Sequence, residues 1–234
     1  MTIEPEITFS YLFKFDSGKE IKFEVKMEKD SLVIIRKQGE VYPDWTKLEN
    51  FKCPHCPLDE TLLDFCPLAI NLVEIINNFA NHNSYENVNI YVESPNRNYN
   101  KYTSLQSGVS SLLGLIMVSS GCPVLGKLKP MLHFHLPFAT LEETEIRAFS
   151  FYLLAQYIKW KRGESPDWEM NNLSNIYEDI RVLNRNVSRK IADLEEKDTS
   201  INSVVVLNNF ADYVTFTLDE KMMDELEHFL KEFF

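Results

Sequence analysis

The chain has 234 residues, of which 44% are hydrophobic and 12% aromatic, enough for a packed core in one large domain or two small ones. Its formal net charge of −11 argues against broad electrostatic capture of nucleic acid, which requires basic surfaces. The closest candidate for a membrane span, Leu112 to Val118, is far shorter than the roughly 18 apolar residues needed. The N-terminus, MTIEPEITFS, lacks the basic and apolar regions of a signal peptide. We therefore expect a cytoplasmic protein that binds neither membranes nor nucleic acid.

The first 35 residues show the alternation of β-strands. One face of the first run carries Ile7, Phe9, Tyr11, Phe13 and Phe15. After the turn sequence DSGK, the second run carries Ile21, Phe23, Val25 and Met27. This pattern predicts a β-hairpin, and a third run, Leu32 to Ile35, is predicted to continue the meander.

Residues 43–66 contain three prolines and no sustained periodicity, so they are predicted to form an irregular loop. A helix is predicted to begin at Cys66-Pro67, because proline is favoured in the first turn. Its apolar stripe comprises Leu68, Leu72, Ile75, Ile76 and Phe79. Cys66 would lie at the positive end of this helix, which should favour its thiolate.

Two more strands and a second helix are predicted next. Val88, Ile90 and Val92 alternate with polar residues, and NYNKYT follows as a possible paired strand. From Ser104 a helix rich in glycine and serine, which permit close backbone approach, is predicted to end at Gly121. This helix would deliver Cys122 at its end.

The remainder of the chain is predicted to be helical, although residues 128–137 show no clear pattern. Thr140 and Glu143 form a capping-box pattern before AFSFYLLAQYIKW, which is apolar around most of its axis and is therefore expected to be a central, buried helix. Spacings of three and four then predict a bundle or coiled-coil seam of Leu173, Ile176, Ile180, Leu183, Val187, Ile191 and Leu194. Two shorter helices, near residues 201–213 and 219–233, complete the chain, the last capped by Asp219.

The predicted fold class is α+β, with an N-terminal antiparallel β-sheet carrying one helix and a C-terminal helical bundle. The β-rich part, residues 1–103, holds three cysteines. The helical part, residues 104–234, holds the fourth. We expect the two parts to form one compact unit.

All four cysteines precede proline, and three of them lie within fourteen positions of FKCPHCPLDETLLDFCPLAINL. Cys53, Cys56, Cys66 and the distant Cys122 form the ligand set of a tetrathiolate metal centre. In the reducing cytosol, clustered cysteines are more often metal ligands or redox groups than disulfides. The alternative is that they are buried, inert thiols.

Two metal centres fit this pattern. The three-plus-one arrangement beside prolines favours a [4Fe–4S] cluster over zinc, although zinc sites also use four cysteines. Each proline removes one amide donor beside a sulfur, so other donors must surround the site. His133 and His135 are second candidates as ligands, because alternate residues of an extended segment point the same way. His55 lies between two cysteines, but a role outside metal binding is more common for a histidine.

Three other functions remain open. Cys53 and Cys56 could form a thiol oxidoreductase pair, although such pairs normally open a helix within a βαβ unit. The helical part could instead bind a protein partner or form a homodimer through the seam from Leu173 to Leu194, without any metal. An enzyme is the third possibility, with the cysteine centre or the HFH segment at its site. The sequence nominates no catalytic residue or substrate, so it points away from an enzyme without deciding the question.

The motifs FKCPHCPLDETLLDFCPLAINL, SGCP and FHLPFA together resemble a family of uncharacterised bacterial proteins. The resemblance runs along nearly the whole chain. It implies a bacterial origin and a single folded unit, and it brings no established activity with it.

Overall fold

The computed structural model describes residues 6–36, 39–192, 194, 197–217 and 223–234, excluding the side chains of residues 217 and 223–225. Its strands are β1 (Glu6–Phe15), β2 (Glu20–Glu28), β3 (Asn87–Glu93) and β4 (Asn98–Ser104). Its helices are α1 (Leu48–Phe51), α2 (Pro67–Phe79), α3 (Leu105–Ser119), α4 (Lys129–Leu132), α5 (Leu141–Lys161), α6 (Asn171–Ile191), α7 (Thr199–Thr217) and α8 (Met223–Leu230). Short 3₁₀ turns lie at Asp44–Thr46, Leu125–Leu128 and Lys231–Phe233. The predicted α+β class is confirmed.

The four strands form one antiparallel sheet in the order β2-β1-β3-β4. Side chains alternate along β1 and β2, and the apolar face is buried. Residues facing the core include Tyr11, Phe13, Phe23, Met27, Val88 and Ile90. The predicted hairpin and the second pair of strands are therefore confirmed.

Helices α2 and α3 cover the buried face of the sheet. Phe79 of α2 packs edge-on against Phe13, with ring centroids 5.1 Å apart. Gly108 of α3 lies so close to the sheet that a Cβ atom built there would stand 1.9 Å from Cδ1 of Ile90. Small residues in this helix thus permit the close approach that the sequence predicted.

Helix α3 is the central helix of the fold, because the sheet covers one side of it and α7 packs on the other. Helix α6 packs in turn on α7, and most of the predicted α6 seam is buried. On another face of α6, Arg181 pairs with Glu178 and with Asp212 of α7. One continuous cluster of buried residues joins the sheet to these helices.

Helix α5 begins where predicted, with the complete Thr140–Glu143 capping box. Its predicted central position is wrong, because only Glu145, Ala148, Phe149 and Gln156 are buried. Apolar side chains of its second half are exposed, namely Leu154, Tyr157, Ile158 and Trp160. The central helix is instead α3, which is apolar along most of its length and whose Gly108 lets it approach the sheet closely.

Two other predictions need correction. The run from Leu32 to Ile35 is not a strand: Leu32 adopts a φ of 52°, and a single bridge joins Ile34 to Met27. The loop at residues 43–66 also contains a 3₁₀ turn and the one-turn helix α1. The cap predicted at Asp219 lies outside the described residues.

Among the residues that the structure does describe, no helix is long and apolar enough to cross a membrane.

Candidate metal centre

Cys53 and Cys56 lie just after α1, on a turn in which the amide of Cys56 donates to the carbonyl of Cys53 at 3.0 Å. Helix α1 anchors this turn because Leu48 and Phe51 are buried in the core. Cys53 is buried, whereas Cys56 is partly exposed. The first two candidate ligands therefore lie at the edge of the core, on a segment fixed by apolar packing.

Cys66 returns to the beginning of the same loop. Its amide donates to the carbonyl of Thr46 at 2.9 Å, and the amide of Leu48 donates to the carbonyl of Asp64, also at 2.9 Å. A β-bridge between Lys47 and Phe65 joins the same two segments. These contacts close the loop, so Cys66 is held next to the segment that leads into Cys53.

Cys122 follows α3, which ends at Ser120 and Gly121 as predicted. Gly121 has a φ of +93°, a conformation that glycine adopts without strain and that ends the helix. The guanidinium of Arg36 donates to the carbonyl of Ser120 at 3.0 Å and to that of Pro67 at 3.4 Å. Arg36 thereby joins the end of α3 to the start of α2, bringing Cys122 near Cys66.

The four thiols converge on one region. Burial raises the pKa of Cys53 to about 12, and the neighbouring thiols of Cys66, Cys122 and Cys56 add to that rise. Burial also raises the pKa of Cys66, with further contributions from Cys122 and Cys56, and Cys56 acts on Cys122 as well. Each thiol thus lies within the electrostatic field of the other three, although they come from three separate segments.

The end of α2 favours the Cys66 thiolate, as the sequence predicted, but burial opposes this effect. The backbone amides of Leu68 and Ala69, in the first turn of α2, do lower its pKa. They act as partial positive charges rather than as conventional capping hydrogen bonds. Burial has the larger effect, so the pKa of Cys66 is raised overall.

Two of the other sulfurs, those of Cys122 and Cys53, also have donors nearby. The backbone amides of Val124 and Leu125 oppose the burial-driven rise in the pKa of Cys122. Asn186 of α6, which is 9% exposed, donates from its side-chain amide to the sulfur of Cys53 at 3.4 Å. These donors replace the amides lost to proline, and Asn186 brings α6 to the site.

For His55, the sequence favoured a role outside metal binding. Both of its ring nitrogens are buried, and neither has a hydrogen-bond partner among the described residues. A buried imidazole without a partner is costly, since its polar atoms have lost water without replacement. In the sequence, its position between Cys53 and Cys56 is the feature that places it beside the candidate ligands.

The described part of the chain contains no group of three or more His, Cys, Asp or Glu residues arranged to hold a single metal ion. Sulfurs around one zinc would lie about 3.8 Å apart, given Zn–S bonds of about 2.3 Å in a tetrahedron. The four thiols therefore share one region without forming a single-ion site.

The two histidines of HFHLPF lie in different environments. The segment turns at His133 and does not run straight, so His133 is exposed while the ring of His135 is buried. The Nε2 atom of His135 lies 2.7 Å from the hydroxyl of Tyr11, which in turn lies 3.0 Å from that of Ser111. The expectation that the two histidines point the same way is therefore wrong.

His135 should make the fold sensitive to acid. Burial, with a smaller effect of Arg147, lowers its pKa from 6.5 to about 3. Below pH 6.5, His135 is protonated in the unfolded chain but stays neutral in the folded protein. The free energy of unfolding therefore falls as the pH drops towards 3. We expect this residue to cost about 2 kcal/mol of unfolding free energy between about pH 8 and pH 5. Urea unfolding across this range measures the effect.

His135→Gln should flatten that pH dependence, because glutamine can still bond Tyr11 but does not titrate. His133→Gln is the matched control, two residues away and exposed, and it should leave the pH dependence of the wild type unchanged. An equally steep loss of stability in His135→Gln would show that other groups control the acid response.

The family comparison matches residues 9–231 to the model described as Domain of unknown function (DUF6901). The chain belongs to this family. The match includes all four cysteines, so the candidate ligands lie inside the DUF6901 domain. No curated protein and no solved structure matches the chain.

Proposed function

We propose that this DUF6901 protein is an iron–sulfur protein in which Cys53, Cys56, Cys66 and Cys122 hold a [4Fe–4S] cluster. The observation that carries the proposal is the convergence of four thiols from three separate segments, in which the neighbouring thiols contribute to the raised pKa values of Cys53, Cys66 and Cys122. Four thiolates are the ligand set of such clusters. Amides of α2 and of the turn after Cys122 supply partial positive charge to two of the sulfurs.

A cluster suits this arrangement better than zinc does. The described thiols are not gathered around a single point, and a cubane of iron and sulfide separates its cysteine ligands much further than one ion does. The unpartnered ring nitrogens of His55 also favour a polar group in this region, since sulfide and thiolate sulfurs can accept a hydrogen bond from an imidazole. Zinc remains the alternative, to be decided by the measurement below.

The proposed cluster has a structural role. It would tie the loop carrying Cys53 and Cys56 to the start of α2 and the end of α3. The energy of coordination is also folding energy, because these segments are not held together in the unfolded chain. Burial of three of the ligands and the donor from Asn186 would also set its reduction potential, so electron transfer or redox sensing is compatible with the same site.

Metal analysis of anaerobically purified protein tests the proposal. We expect about four irons and four sulfides per chain, with the broad visible absorption of an iron–sulfur cluster. One zinc per chain and no visible absorption would replace the cluster by a zinc site. Protein that contains neither, and that does not acquire a cluster from iron and sulfide under reducing conditions, would refute the metal centre.

Asn186→Leu should lower the reduction potential of the cluster without removing it. The side-chain amide of Asn186 donates to Cys53, and such a bond stabilises the more negative, reduced cluster. Loss of about 1 kcal/mol corresponds to about 40 mV for one electron. A redox titration followed by absorption measures the shift.

Asn175→Leu provides the matched control for this experiment, because Asn175 lies on the same helix but is exposed. It should leave the potential unchanged. Equal reduction potentials for wild type and Asn186→Leu would show that Asn186 does not influence the cluster.

Two of the alternatives receive less support. A thiol oxidoreductase needs a reactive thiolate, whereas the pKa of Cys53 is raised to about 12. The seam proposed for a partner is buried inside the chain, with Ile180 3% and Val187 0% exposed. A homodimer or protein partner would therefore have to use another surface of the helical part.

A further inference from the structure

The helical half contains a second candidate site, a cavity of about 270 Å³ between α3, α6, α7 and the segment that precedes α5. Its walls are largely apolar and include Met117, Val118, Ile180, Leu207, Phe210 and Ala211. An apolar cavity of about 150 Å³ is enough to hold benzene, so this one can hold a substituted single ring or a short chain. Pockets of this kind recognise ligands through a few polar groups in an apolar wall.

Arg147 is the first of these polar groups. Its Nη2 donates to the carbonyls of Met131 at 2.9 Å and Phe134 at 2.8 Å, which fixes the guanidinium at the cavity wall. Arginine has five N–H donors, so these two bonds leave three others for a ligand. Among the described residues, no carboxylate forms an ion pair with Arg147.

The charge of the cavity is unusual for this chain. Although the protein carries 35 acidic residues and a net charge of −11, the described lining contains no aspartate or glutamate. It contains two cations, Arg147 and Lys101. Glu143 acts on Arg147 electrostatically, but its carboxylate accepts from the Thr140 amide and does not line the cavity. The partly buried guanidinium can therefore still attract an anion, and its planar fork matches a carboxylate.

Asn184 is the second polar group. It is 2% exposed and lines the cavity, and its Oδ1 has no hydrogen-bond partner among the described residues. The hydroxyl of Tyr177 lies 3.8 Å from the sulfur of Met131, whose carbonyl binds Arg147. Tyr177 therefore lies near Arg147, and it precedes Asn184 by seven residues on α6, a rise of about 10 Å. The cavity thus presents a cation near one end and an unused acceptor near the other.

We propose that this cavity binds a small monocarboxylate with an apolar body, Arg147 holding the carboxylate and Asn184 accepting a hydrogen bond from a donor at the far end. The ligand would be about as long as a para-substituted phenyl ring with a carboxymethyl group. This site is separate from the cysteine centre and does not depend on a metal.

Calorimetric titration with 4-hydroxyphenylacetate tests the proposal, with the neutral 4-hydroxyphenylacetamide as the matched ligand. The acid should bind at least about tenfold more tightly than the amide, because only the acid pairs with Arg147. Arg147→Met should abolish this preference. Arg162→Met, an exposed arginine at the end of the same helix, should retain it.

Ala211→Leu provides a second variant that does not depend on charge. A larger side chain at this cavity wall should weaken binding of the acid at least tenfold while the protein stays folded by circular dichroism. Failure of the acid to bind wild type, or an equal preference for the acid in Arg147→Met, would overturn the proposal. Equal binding of acid and amide would show an apolar cavity without carboxylate recognition, which also contradicts it.

Discussion

Replacing Cys66 with serine is expected to remove the proposed [4Fe–4S] cluster and, with it, most of the stability that metal loading adds. Structural zinc contributes about 10–16 kcal/mol of apparent binding energy in zinc-finger peptides, which sets the scale for a metal centre that holds separate segments together. Here the loop is also held by the Thr46 and Asp64 backbone contacts, so we expect the holo protein to lose several kcal/mol. Iron and sulfide content, together with urea unfolding of the anaerobic protein, measure the two effects.

The same substitution should have the opposite effect on metal-free protein. Position 66 is the N-cap of α2, and serine is among the best N-cap residues because its hydroxyl accepts from the amides of the first turn. In this chain those amides belong to Leu68 and Ala69, which already act on the Cys66 sulfur. Metal-free Cys66→Ser should therefore be as stable as metal-free wild type, or more stable by up to about 1 kcal/mol.

The effect of Cys66→Ser on stability thus differs in sign between the metal-loaded and metal-free protein. This difference distinguishes a metal ligand from a thiol that only packs in the core. A buried cysteine that merely packs would lose stability by a similar amount with and without metal, because packing does not depend on the cluster. Cys66→Ser that retains its iron and sulfide, or that is destabilised equally in both forms, would contradict the assignment of Cys66 as a ligand.

Local features of the sequence predicted much of the fold. The hairpin follows from strict alternation, the start of α2 from Cys66-Pro67, and the start of α5 from the Thr140 capping box. Each of these signals is complete within a few residues. The same holds for Gly121, whose left-handed backbone ends α3 before Cys122.

The errors concern features that depend on distant parts of the chain. The apolar residues of α5 predicted a central helix, yet Leu154 and Trp160 are more than half exposed, because α3 occupies the position between the sheet and α7. The Leu32 run has strand composition, but Leu32 turns the chain with a positive φ and is itself buried. Composition shows that a segment is apolar without showing what covers it.

The candidate site also combines residues that the sequence predicted with residues that only the fold brings together. The four cysteines could be found from the sequence because thiolate ligands are few and their spacing is informative. The donors around them could not, since Asn186 reaches Cys53 from a helix 133 residues away. Arg147 and Asn184 give no sequence signal at all, because the position of Arg147 at the cavity wall and the unpartnered Oδ1 of Asn184 are visible only in the described fold.

Gly108→Ala should destabilise the protein by about 3 kcal/mol, at the upper end of the range for an overpacked core. The added Cβ would stand 1.9 Å from Cδ1 of Ile90 and 3.0 Å from Cε1 of Phe13, and both side chains are fully buried. Helix α3 would have to move away from the sheet, or Ile90 would have to adopt another rotamer. Urea unfolding measures the loss.

Gly114→Ala, six residues further along α3, is the matched control. Its Cβ would lie 3.6 Å from Cδ2 of Leu207, an ordinary contact, so the variant should gain up to about 1 kcal/mol from helix propensity. If Gly108→Ala is instead as stable as Gly114→Ala, the close approach does not set the position of α3. If the contrast holds, Gly108→Ala should also weaken cluster binding, because α3 carries Cys122 at its end and any shift moves that ligand relative to α2.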